Sequence, residues 1–117
     1  MNVEEIRDYC LSKKAVTEST PFDDVTLVFK VAGKMFALLP LDETELIINL
    51  KCDPEKAISL REQFPAVKPG WHMNKKHWNT IGVGALNNPS IVYEWIDDSY
   101  NCVVAGLPAK VRKESGL

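Results

Sequence analysis

An α+β fold, a two-layer sandwich of helices on a mainly antiparallel sheet, is predicted by three features of this 117-residue chain. Strand-like alternation and helix-like periodicity fall in separate blocks, not in repeated βαβ units. Two strong helix starts, Asp53-Pro54-Glu55 and Asn88-Pro89, set a capping side chain before a proline. A tight reversal at Ala32-Gly33 joins two short apolar runs as a hairpin. The predicted order is α-β-β-β-α-β-β-α, and the length bounds it to one domain spanning residues 1–117.

The first helix runs to about Lys13, with Asn2 and Glu5 as a capping pair and Val3, Ile6, Tyr9 and Cys10 at helical spacing. A polar connection through Ser19, Thr20 and Pro21 leads to a strand, Val25 to Val31, in which Val25, Leu27, Phe29 and Val31 alternate. Lys34 to Leu39 returns beside it. After an acidic turn from Pro40 to Thr44, Glu45 to Lys51 completes a three-stranded meander. The second helix buries Ala57, Leu60 and Phe64 and stops at Pro65. Pro69 to Thr80, running on into Ile81-Gly82-Val83, is expected to add one more hairpin. The longest helix opens at Asn88-Pro89, keeps Val92, Trp95, Ile96, Ser99 and Val103 on one face, and ends in a left-handed stop at Gly106.

A hydrophobic content of 45% with 26% charged residues is that of a folded globular protein. The net charge of −2 gives no overall attraction to nucleic acid or anionic membrane. Its distribution is uneven. Residues 1–24 carry six acids against three bases, residues 61–81 carry Arg61, Lys68, Lys75 and Lys76 against Glu62, and Lys110, Arg112 and Lys113 lie near the end. With no export leader and no apolar run approaching the ~20 residues that cross a bilayer, a cytoplasmic location without membrane contact is expected. Cys10, Cys52 and Cys102 read as free thiols acting as small hydrophobes.

No catalytic signature accompanies these elements. His72 and His77 are five apart, which suits neither a helical pair nor one strand face, and no Cys-x-x-Cys exists, so no metal and no cofactor is expected. No Gly-x-Ser-x-Gly elbow is present, and Gly82-x-Gly84 lacks the third glycine and βαβ setting of a dinucleotide site. The chemistry gathers in Pro69 to Thr80. Lys68, Lys75 and Lys76 suit phosphate contacts; Trp71, Trp78 and His77 suit base stacking or a pocket wall; Asn74 and Asn79 suit amide bonds to a base edge. A second reading of the same residues puts the tryptophans in the core and the lysines on a solvated turn.

Asp53-Pro54-Glu55 directly after Ile47 to Cys52, the run Pro69-Gly70-Trp71-His72-Met73-Asn74-Lys75-Lys76-His77-Trp78-Asn79-Thr80, and Ser99-Tyr100 resemble the MmcQ/YjbR family. Pro21-Phe22 and Lys34-Met35-Phe36-Ala37 fit the same pattern, so the resemblance covers nearly the whole chain. It implies a CyaY-like, or secretion-chaperone-like, topology. It also implies a proposed double-wing mode of DNA binding, which would bring the turn at Ala32, Gly33 and Lys34 and the Pro69 to Thr80 hairpin to the DNA. The resemblance transfers no activity. The resulting expectation is a monomeric, non-enzymatic binding module that contacts DNA through Lys34, Lys68, Trp71, His72, Asn74, Lys75, Lys76, His77, Trp78 and Asn79. The alternatives are a protein-interaction module and a small-ligand domain with His72 and His77 flanking a pocket.

Overall fold

In a computed structural model, which describes residues 1–71 and 73–117, Asn2 caps the first helix by accepting the Glu5 N–H at 2.9 Å. Helix α1 spans Val3–Leu11 and is followed by β1 (Val16–Ser19), β2 (Thr26–Val31), β3 (Lys34–Pro40) and β4 (Ile47–Lys51). Next come α2 (Pro54–Gln63), β5 (Val67–Pro69), β6 (Trp78–Gly82), a 3₁₀ turn (Val83–Ala85), α3 (Ile91–Ala105) and α4 (Ala109–Ser115). The six strands form one sheet in the order β1-β2-β3-β4-β6-β5, every pairing antiparallel.

The meander β2-β3-β4 and the hairpin β5-β6 stand where strand periodicity and turn residues put them. At the β2-β3 turn both Ala32 (φ 48°) and Gly33 (φ 84°) take positive φ, which matches the twist of a two-residue hairpin. Two elements go beyond the expected order. The four residues of β1 offer only Val16 as an apolar position, yet they pair along β2 from Val16↔Val31 to Ser19↔Val28 as a polar edge strand. The basic segment after Pro108 folds as α4, whose left-handed cap is Gly116 (φ 71°). Gly106 instead keeps right-handed φ and ends α3 by donating to the Val103 carbonyl at 3.1 Å, so the expected left-handed stop is absent there. Helix α3 also begins two residues later than expected, with Ser90 in place of Asn88 at its cap and Asn88 Oδ1 accepting from the Ser90 hydroxyl at 2.6 Å.

The helices cover one face of the sheet. Ile6 and Cys10 of α1, and Val92, Trp95, Ile96, Tyr100 and Val103 of α3, bury against Phe29, Val31, Phe36, Leu39, Ile48, Leu50 and Ile81. This main core gains most from removing apolar area from water. A bulge in β3 turns both Phe36 and Ala37 inward, and the Ser99 hydroxyl of α3 donates to the Phe36 carbonyl at 2.6 Å. The outer face carries a smaller cluster, Val28, Leu38 and Trp78, with Met35 and Met73 partly covering it. No helix among the described residues is long and apolar enough to cross a membrane.

Candidate nucleic-acid interface

Strand register decides which charges meet. Val16 pairs with Val31, Lys34 follows the β2-β3 turn, Lys51 pairs with Trp78, and Pro69 pairs with Asn79. The start of β1, the β2-β3 turn, the end of β4 and the loop 70–77 therefore share one end of the sheet. Lys14, Lys30, Lys34, Lys51, Lys75 and Lys76 lie at or beside these strand ends. None of the six is in an ion pair among the described residues, where the side-chain pairs are Arg7–Glu18, Lys13–Asp97 and Lys56–Asp98. Helix α4, with Lys110, Arg112 and Lys113, adjoins the same end. Gly106 and Leu107, just before it, line a cleft with Lys34 and Lys51, and a Cβ on Gly116 would meet Lys14 Nζ at 2.9 Å. Asp53, at this end, is engaged as the cap of α2.

The loop 70–77 is built by its own polar groups. The Gly70 N–H donates to the Trp78 carbonyl at 2.8 Å, and the His77 and Trp78 N–H groups donate to the Asn74 carbonyl. Asn74 Oδ1 accepts the Lys76 N–H at 2.9 Å, a local turn that projects Lys76 outward, and Lys75 Nζ donates to the Gly70 carbonyl at 3.0 Å. Arg61 of α2 clamps the loop from behind. Its Nε donates to Asn79 Oδ1 at 2.6 Å while its Nη2 reaches the carbonyls of Lys75 and Trp78. Asn79 Nδ2 in turn donates to the Ala57 carbonyl at 3.2 Å.

The residues singled out from sequence thus divide three ways. Lys34, Asn74, Lys75 and Lys76 are exposed at the basic end, with His77 half-buried among them. Lys68 and Trp71 belong to the outer sheet face, where Lys68 is in register with Thr80 and the Trp71 N–H donates to Thr80 Oγ1 at 3.0 Å. Trp78 is packed against Val28 and Leu38, and Asn79 is 1% exposed with both ends of its amide bonded. His72 lies outside the described residues. The two cavities along the outer face are lined by Trp71 and not, among the described residues, by His77 or Trp78. Lys14, Lys30 and Lys51 had no local signal: Lys14 follows Lys13 just after α1, and Lys30 and Lys51 are single lysines at or beside the ends of apolar strands.

The thiols are free, and burial pushes Cys10 up to about 12 and Cys52 up to about 11, far from the range of a reactive thiolate. Among the described residues no group of three or more His, Cys, Asp or Glu side chains is gathered as metal ligands.

The class these features define is an antiparallel α+β sandwich with charge divided between the two ends of its sheet. The chain belongs to the YjbR family, whose model matches residues 11–102. It is 34% identical over 113 residues to the uncharacterised protein YjbR of Escherichia coli K12, covering 97% of this chain and 96% of that one. It is 40% identical over 93 residues to the uncharacterised protein YbdF of E. coli O157:H7, covering 80% and 76%. The crystal structure of Deinococcus radiodurans protein DR2400 superposes with a TM-score of 0.92 at 37% identity, over 99% of this chain and 88% of that one. A Pseudomonas syringae protein follows with a TM-score of 0.73 at 28% identity, over 87% and 98%.

Proposed function

We propose that this chain is a non-enzymatic binding module that takes DNA across the basic end of its sheet. The observation that carries the reading is the gathering of Lys14, Lys30, Lys34, Lys51, Lys75 and Lys76, without ion-pair partners among the described residues, from five separated stretches of sequence. Ammonium groups without carboxylate partners among the described residues suit phosphates, whose neutralisation releases counterions and drives binding. The net charge of −2 is no obstacle, because a Debye length of about 8 Å at physiological salt lets the phosphates feel the near end far more than the far one. The β2-β3 turn and the loop 70–77 are the two wings. Asn74 and His77 stand among the lysines as hydrogen-bonding groups for sugar or base edges.

The test is a fluorescence titration of labelled duplex and single-stranded DNA across a salt series. Binding should weaken linearly in logarithmic plots of affinity against salt. In the Lys75→Glu/Lys76→Glu variant the slope should fall by about one for each lysine lost. Absence of binding at low salt, or an unchanged slope in that variant, would rule the reading out.

A further inference from the structure

The outer face of the sheet, opposite the helices, is hollowed by two adjoining cavities. One, of about 380 Å³, has Phe22, Leu38, Asn49 and Met73 among its walls. The other, of about 500 Å³, extends past Ile47 to Ala66 and Ala85. Trp71 and Glu43 line both, so the two are compartments of one groove, of a size that accommodates small organic ligands.

Three independent properties say what fits. The aromatic walls face solvent: Trp71 is 70% exposed and Phe22 63%. Asn49, 6% exposed, sits at the floor of the first compartment. Its amide orientation is fixed by a chain of donors: the Trp71 N–H donates to Thr80 Oγ1, and the Thr80 hydroxyl donates to Asn49 Oδ1. Among the described residues that is the side chain's hydrogen bond, so Nδ2 is left to donate into the cavity. The charge of the first compartment is acidic: Asp23, Asp42 and Glu43 line it with no cation among the described residues of its walls, and Lys68 lines only the second. The Asp23 carboxylate is already held by the N–H groups of Val25 and Thr26 at 2.9 and 2.7 Å, which leaves Asp42 and Glu43 to meet a ligand.

From this arrangement we infer that the groove binds a small apolar organic cation bearing an oxygen acceptor. Its hydrocarbon or aromatic body lies against Trp71 and Phe22, its acceptor takes the Asn49 amide, and its ammonium faces Glu43 and Asp42. The cation is favoured by the carboxylates and by the electron-rich face of the indole. The groove shares Trp71 and Met73 with the loop 70–77, but its carboxylates lie at the opposite end of the sheet from the lysines, and its test does not depend on DNA.

Three matched probes decide the matter: 2-phenoxyethylammonium, 2-phenoxyethanol and phenoxyacetate share a ring and an ether oxygen and differ in charge. In a titration of the full chain followed by ¹H–¹⁵N correlation spectra, the ammonium should shift the Asn49 side-chain amide and the Trp71 resonances saturably. It should bind about tenfold more tightly than phenoxyacetate, with phenoxyethanol between. The Asp42→Asn/Glu43→Gln variant, altered only on an exposed loop, should abolish that charge preference while still binding phenoxyethanol. Equal or tighter binding of the anion or the neutral probe, shifts confined to residues outside the groove, or no saturable shift with any probe would overturn the inference.

Discussion

At Gly70 a side chain has nowhere to go. A Cβ there would stand 2.8 Å from the Cβ of Trp78 and 3.0 Å from that residue's carbonyl oxygen, which is backbone and cannot turn aside. The close approach lets the chain double back after β5, so that Trp71 lies over the outer face while Trp78, seven residues later, is buried beneath it. Gly70→Ala should therefore cost ~1–3 kcal/mol of stability by overpacking, whereas Lys76→Ala on the same loop should stay within ~0.5 kcal/mol. Urea unfolding of the two variants checks this, and an unchanged midpoint for Gly70→Ala would contradict the crowding. The sequence makes the tryptophans, lysines and histidines of this run visible as a set. It cannot separate Trp71 from Trp78, because the two share a residue type and differ only in which side of a turn they fall.

Helices α1 and α3 are joined by a polar clasp at the margin of the core. The Tyr9 hydroxyl donates to Asp97 Oδ1 at 2.7 Å, Lys13 pairs with the same carboxylate, and the Tyr9 and Tyr93 rings meet at 4.5 Å. Burial opposes ionisation of Asp97, but the Lys13 and Tyr9 hydrogen bonds outweigh it and hold the carboxyl below its ordinary value. Its contribution to stability is thus present above the unfolded carboxylate range near ~3.9 and is lost as pH falls below it. Tyr9 moves the other way, from 10.0 to about 12, because its hydroxyl proton is donated to Asp97 and burial adds to the effect. That contribution is complete below pH 10.0 and is lost as pH rises through about 12. Tyr9→Phe should flatten the alkaline fall in stability and leave a residual fall from Cys10 and Cys52, raised from 9.0 to about 12 and about 11, and from Tyr100, which burial also raises. Thermal unfolding between mildly acidic and strongly alkaline pH measures it, and superimposable profiles for the two proteins would refute the assignment. The apolar faces of both helices are legible in their 3.6-residue spacing. The clasp is not, since Tyr9 and Asp97 are 88 positions apart. For the same reason β1 is hidden: its four residues have weak alternation, and pairing with β2 makes them a strand.

Over the whole molecule the sheet separates charge along its strands. The loops 20–25 and 41–46 at the end opposite the lysines carry Asp23, Asp24, Asp42, Glu43 and Glu45 and no lysine or arginine. Position, not net charge, should then govern DNA affinity. Adding Asp24→Lys and Asp42→Lys to Lys75→Glu/Lys76→Glu restores the native net charge while leaving the basic end weakened. That quadruple variant should bind DNA no better than the double variant at physiological salt, where screening isolates the two ends. Recovery of native affinity in the same titration would show that overall charge suffices and that no particular end is used.

The sequence by itself determined the alternation of blocks, the meander, the buried faces of α1, α2 and α3, and the family, because each is written in neighbouring residues at periods of two or 3.6. The tertiary structure alone decided which charges stand together and where a groove opens. Electrostatic and packing energies depend on distance through space. Only the antiparallel register brings Lys14, Lys34, Lys51 and Lys75 to one end, and only the turn at Gly70 lays Trp71 across from Phe22 and Asn49.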